Sequence, residues 1–250
     1  MKDIKQIVKE KFKAFAVHFA LSFFILSLII SFIYFIWYPG PILQAVQASK
    51  ILFLIILIDV ILGPLLTFIV YKKNKKTLKM DLAVIGSIQV IALAFGISSL
   101  ALAKPVWIAF NGNKFELIQK NEIIYTSENT PHKFLSSHYW SKPKFVAATL
   151  SNDSNVKEAQ IMNEVFSGIS LAQKPENYVE IKQVFPAIVK SSYLLQDLYQ
   201  YNDQARVDAI IERYSTHHHW LPLKAKEVDM VVLVGNTEND FEIVNLRPWN

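Results

Sequence analysis

"FLIILIDVILGPLLTFIVYKKNKK", residues 53–76, places one acid, Asp59, inside an apolar run that ends in lysines. A charged side chain near the centre of a membrane helix costs roughly 2.5–3.5 kcal/mol on insertion scales, so Asp59 marks either a site or a helix contact. On a helix Gly63 shares its face at i+4, and a small residue there lets a neighbouring helix approach. Pro64 has no N–H and frees the carbonyl of Val60.

Three segments reach the length needed to cross a bilayer: residues 14–38, 51–71 and 82–103. The first follows a basic stretch, residues 1–13, but its apolar core is longer than a signal sequence requires, and no A-x-A cleavage site follows. It reads as a retained span. Lys2, Lys5, Lys9, Lys11 and Lys13 precede it, and Lys72, Lys73, Lys75, Lys76 and Lys79 join the second and third spans. Only Lys50 lies in the first connection. The positive-inside rule therefore puts the N-terminus in the cytoplasm and everything after residue 103 outside it. Trp37, Tyr38, Tyr71 and Trp107 read as interfacial anchors at the span ends. "WYPGP", residues 37–41, is a turn that no helix can continue through.

Composition agrees with two unlike parts. The chain of 250 residues is 52% hydrophobic yet 19% charged, with a mean hydropathy of +0.25. Its net charge of +5 could suggest nucleic acid, but ten of the 26 basic residues sit in the two patches beside apolar runs. That is a membrane-orientation pattern, and a nucleic-acid partner is not expected. The absence of cysteine excludes disulfides, thiolate zinc sites and cysteine nucleophiles.

Residues 104–250 read as a small α+β domain outside the cytoplasm, long enough to bury its own core. Residues 106–118 alternate around Asn-Gly-Asn, which predicts a hairpin. Residues 151–168 open with capping residues, carry Val156, Ile161, Val165 and Phe166 at helical spacing, and close on glycine. Further helices are predicted at about 184–199, with Pro186 near its start, and at 203–214, where Val207, Ile210 and Ile211 form a stripe. Strands are predicted at 230–234 and 241–246.

Within the spans, Gly86, Gln89, Ala92, Gly96 and Ser99 fall on one stripe of the third helix, and Ser27 and Ser31 lie on the first. The reading is a three-helix bundle whose seam pairs Asp59 with Gln89 or Ser27. An aspartyl-protease dyad with Asp81 fails: Asp81 opens the third helix, whereas Asp59 stands roughly 18 Å deeper, and no G-x-G-D motif is present. Three helices with a single acid also offer little for ion transport.

Outside the spans, His217, His218 and His219 invite a metal, but consecutive side chains of an extended segment alternate in direction, so at most two converge. A loop exposed to solvent or to a partner is the preferred reading. His132 and His138 belong to no recognised ligand spacing, and no G-x-S-x-G elbow encloses Ser136 or Ser137. No P-loop or G-x-G-x-x-G occurs. No catalytic, cofactor or metal residue is assigned, and the domain is expected to bind rather than catalyse.

"FIWYPGPILQAV" (35–46), "LIDVILGPLLTFIVYKKNKKTLKMDLAVIGSIQ" (57–89) and "AKPVWIAFNGNKFELI" (103–118) resemble the type IV pilin accessory proteins of the TfpZ/TfpX/FimB type. The likeness is close over about residues 14–125. Beyond them it extends to the general plan and the ending "VNLRPW" (244–249). It implies an inner-membrane protein needed for efficient assembly or dynamics of type IV pili, hence for twitching motility. The implied partners are the major pilin and the assembly platform. It implies no catalytic residue and no cofactor. On this reading the membrane-domain residues Asp59, Gly63, Pro64, Gln89 and Gly96 serve helix packing or pilin contact, and the periplasmic domain, 104–250, meets the pilin head. The alternative is a membrane-anchored sensor or enzyme whose periplasmic domain binds a small ligand or metal. Against sensing, the 72–79 connection is too short to be a cytoplasmic output domain.

Overall fold

The computed structural model describes residues 2–125, 134 and 140–249. It comprises three long apolar helices and a mixed α/β domain with a curled sheet, divided into two compact units. The helical unit contains the chain up to Phe35 together with Ala48–Leu102; the C-terminal unit contains Ile36–Gln47 and the chain from Ala103 onward.

In the helical unit, α1 (Lys2–Phe32) runs on into a π turn, Ile33–Trp37, whose last two residues already belong to the C-terminal unit. The second span is α3 (Ala48–Ile56), a π segment (Leu57–Leu62) and α4 (Gly63–Val70) in series. The third is α5 (Leu78–Leu102). Three stretches, Ile4–Trp37, Ala48–Val70 and Leu78–Leu102, are long and apolar enough to cross a membrane. Large apolar side chains such as Phe24, Ile91 and Phe95 point outward, as expected where the solvent is lipid. The basic stretch before residue 14 is itself helical and continuous with the first span. Phe15 of α1 packs edge-on against Phe68 of α4 with ring centroids 6.5 Å apart.

In the C-terminal unit a short helix, α2 (Ile42–Ala45), follows the Pro39-Gly40-Pro41 turn, where Gly40 adopts φ +61°. β1 (Pro105–Asn111) and β2 (Lys114–Gln119) form the predicted hairpin. Its two-residue turn is Gly112-Asn113, with Gly112 at φ +68°, the first-position geometry that tight hairpins require. Then come β3 (Lys144–Ala148), α6 (Ser154–Ser167), β4 (Tyr178–Val179), α7 (Ile181–Ser191), β5 (Tyr193–Leu194), α8 (Gln204–Arg213), β6 (His219–Lys224), β7 (Met230–Val234) and β8 (Phe241–Val244). Among the described residues they form one eight-stranded sheet, ordered β4-β3-β1-β2-β6-β7-β8 with β5 paired to β6. It is mixed: β3 lies parallel to β1 and β6 parallel to β2, while the other pairs are antiparallel.

Period-two alternation gives the sheet two apolar faces. On one, Trp107, Ala109, Val146 and Ala148 pack with Phe134 and Tyr178; farther along, Trp220, Val231 and Leu233 pack under Leu198 and Val207. On the other, Phe115 of β2, Phe145 of β3 and Phe241 of β8 meet, with Phe145 and Phe241 stacked at 4.9 Å. β3 and β8 have four strands between them in the sheet order, so this contact requires the sheet to curl.

Several expectations need correction. Trp37 and Tyr38 are buried within the C-terminal unit, and Trp107 packs with Phe134 and Tyr178 in its core, so none of the three is an interfacial anchor. The helix expected at 184–199 starts at Ile181 and ends at Ser191, with Pro186 in its interior; Leu195–Gln200 is a separate 3-10 helix. α6 is capped as predicted, by the Asp153 carboxylate at its start and by Gly168 at φ +67°. Its apolar stripe is not core, however: Val165 is 71% and Phe166 77% exposed.

Candidate functional site in the helical unit

The π segment fixes the site. The Gly63 N–H donates to the Ile58 carbonyl, five residues back rather than four. In that register the next donor would be residue 64, bonding to the carbonyl of Asp59, and Pro64 has no N–H to give. Gln89 of α5 supplies it: its Nε2 donates to the Asp59 main-chain oxygen at 3.0 Å. Side chains from neighbouring helices satisfy proline-freed carbonyls in this way within membranes. The freed carbonyl is thus that of Asp59, one residue earlier than α-helical counting gives.

Gly63 makes room for this bond, because a Cβ at position 63 would fall directly on the Gln89 amide. Gly96, higher on the same face of α5, is buried against Ile55, whose Cδ1 and Cγ1 would each lie 2.6 Å from an added Cβ. Asp59, Gly63, Pro64 and Gln89 therefore converge on one point, and Gly96 forms a second close approach between α5 and α3. Ser27 does not join them. Its hydroxyl donates to the Phe23 carbonyl at 2.7 Å, and Ser31 and Ser99 likewise bond four residues back in their own helices. The Asp59 side chain is 6% exposed, and neither carboxylate oxygen has a hydrogen-bond partner among the described residues.

Nearer the lysines, His18 Nδ1 and Thr67 Oγ1 hydrogen-bond at 2.7 Å between α1 and α4, a pairing that the spacing of neither helix reveals. Lys11 Nζ donates to the Ile69 carbonyl at 2.9 Å, and Lys73 pairs with Glu10 at 3.2 Å. Asp81, weighed above as a second acid, is 2.6 Å from Lys75.

In the C-terminal unit His217 is buried with Nε2 3.2 Å from Asp240 Oδ1, His218 is exposed, and His219 opens β6 opposite Leu194 and Val234. The segment enters a strand rather than forming a free loop. No group of three or more His, Cys, Asp or Glu placed to hold a metal occurs among the described residues. His132, His138, Ser136 and Ser137 lie outside the described residues. Burial, with Lys120 nearby, lowers Lys104 to about 8. Burial also raises Tyr178, whose hydroxyl donates to the Ala172 carbonyl.

No family model matches the chain, and no solved structure does. The chain is 27% identical over 238 residues to a fimbrial assembly protein of serogroup I from Dichelobacter nodosus, covering 93% of this chain and 89% of that relative. A serogroup E1 protein of the same organism matches at the same identity and extent. A third, the fimbrial assembly protein of serogroups C1 and C2, is 35% identical over 114 residues, which are 45% of this chain and 87% of the relative. On that likeness the chain belongs to the family of fimbrial assembly proteins.

Proposed function

We propose that this protein assists assembly of type IV pili at the inner membrane, without catalysing a reaction, by engaging the major pilin. The observation that carries the reading is the likeness to fimbrial assembly proteins over 93% of the chain, spans and C-terminal unit together. A relation confined to the spans would speak only for a shared anchor. In this proposal the N-terminus is cytoplasmic and the C-terminal unit periplasmic, as the lysine distribution predicts. Pilin waits in the membrane with an apolar helix in the bilayer and a head outside it. The seam at Asp59, Gly63 and Pro64 shapes the membrane contact, and the C-terminal unit meets the head.

In-cell crosslinking tests this, from photoreactive residues at exposed Leu62 in the second span and at exposed Val165 in α6. Capture of the major pilin at both positions is the expected result. Capture of the assembly platform alone would move the role to the machine rather than its subunit. Asp59→Asn and Gly63→Leu are expected to lower pilus number and twitching; unchanged piliation would remove the membrane half of the proposal.

A further inference from the structure

We infer that the helical unit holds one anionic phospholipid in a cleft between α1, α4 and α5 at the lysine-rich end of the spans. The cleft has a volume of about 670 Å³, within the range of roughly 300–1,000 Å³ typical of small-molecule sites. Val17 and Leu21 of α1 and Leu82 and Gly86 of α5 line its shaft; Lys13 and Lys73 stand at its mouth. His18 and Thr67, deeper in the wall, hydrogen-bond to each other at 2.7 Å. Gly86 borders free space: an added Cβ would meet nothing within 4 Å.

Depth selects the occupant. On α1 the cleft runs from Glu10 to Leu21. Below the headgroup level, from Ala14 to Leu21, that is about 10 Å at 1.5 Å per residue, inside one leaflet of a hydrocarbon core about 30 Å thick. A transmembrane helix of a partner needs a groove through the whole thickness, whereas a lipid belongs to one leaflet. A free phosphate has no use for the apolar shaft. Charge then selects among lipids: Lys73 is neutralised by Glu10, but the exposed Lys13 has no ion pair among the described residues and stands where headgroup phosphates lie. Basic pockets between helices at this level bind anionic headgroups.

The test is native mass spectrometry of the full-length protein released from nanodiscs containing equal phosphatidylglycerol and phosphatidylethanolamine, with circular dichroism to confirm helicity. The wild-type protein is expected to retain phosphatidylglycerol selectively, undiminished by added inorganic phosphate. Lys13→Gln is expected to weaken that retention by roughly fivefold. Gly86→Leu, whose Cβ has open space and whose branches extend into the shaft, is expected to remove bound lipid of both kinds. Equal retention of the two lipids by the wild type, displacement by inorganic phosphate, or helical variants that keep phosphatidylglycerol at the wild-type level would each overturn the inference.

Discussion

Gln89 stands in for a backbone group: its side-chain amide donates to the Asp59 carbonyl at the position where Pro64 has no N–H. The relationship fixes what mutation should do. Gln89→Leu leaves a buried carbonyl unsatisfied and should cost about 1–2 kcal/mol in thermal unfolding of the detergent-solubilised protein. In the Pro64→Ala background the helix regains its own donor, so the same change should cost less. Equal costs in both backgrounds would show that the amide does not replace the missing N–H.

Close packing of α5 against the second span makes a separate prediction. Gly96→Leu drives a side chain into Ile55 and should destabilise the protein by about 1–3 kcal/mol, the usual penalty of overpacking. Ile55→Ala should relieve part of that loss. A double variant no better than additive would place the strain elsewhere.

Lys104 predicts a pH dependence with a definite sign. Its pKa, lowered to about 8 by burial with Lys120 nearby, lies below the ordinary lysine value of about 10.4. Between those values the unfolded chain binds more protons than the folded one, so stability should rise with pH from 8 towards 10. Below pH 8 both states carry the charge, and this contribution is flat. Urea midpoints of the full-length protein at pH 7, 8.5 and 9.5 read the slope, which Lys104→Met should remove. A slope that survives that substitution belongs to another group.

The aromatic cluster inside the curl offers the fourth test. Phe115 is fully buried, and Phe115→Ala should cost about 3–5 kcal/mol in urea unfolding followed by tryptophan fluorescence. Phe145 and Phe241 are half-buried, so each should cost less alone. Their stacking predicts a coupling of about 0.5–1.5 kcal/mol in a double-mutant cycle. Zero coupling would mean that the sheet ends do not meet in solution.

Much of this fold was legible in the sequence because the relevant signals are local. Apolar length gave the three spans, Asn-Gly-Asn the hairpin, Asp153 and Gly168 the limits of α6, and the Val207 stripe α8. What escaped depends on partners distant in the chain. β6 carries Pro222, a residue that argues against a strand, yet its neighbour on one flank changes from β5 to β2 around that position. Composition cannot separate an aromatic anchor from a core aromatic, so Trp37, Tyr38 and Trp107 were misplaced. The convergence of Gln89 on Asp59 was within reach of the pattern of small and polar residues, but the atom it bonds was not. A single π register shift moves the open carbonyl by one residue, and no side-chain pattern announces it.

Residues 36–47 lie between two spans yet belong to the C-terminal unit: the Glu227 N–H donates to the Ala45 carbonyl at 3.0 Å, and the Asn245 amide to Gln44 Oε1 at 2.7 Å. Order of synthesis therefore matters. At 5–20 residues per second, β8 leaves the ribosome roughly 10–40 s after this segment. Until then Tyr38, Ile42 and Ala45, all buried in the finished unit, have nothing to pack against. The nascent protein thus spends that interval with an apolar, unfinished segment, and the second and third spans are synthesised before it can close.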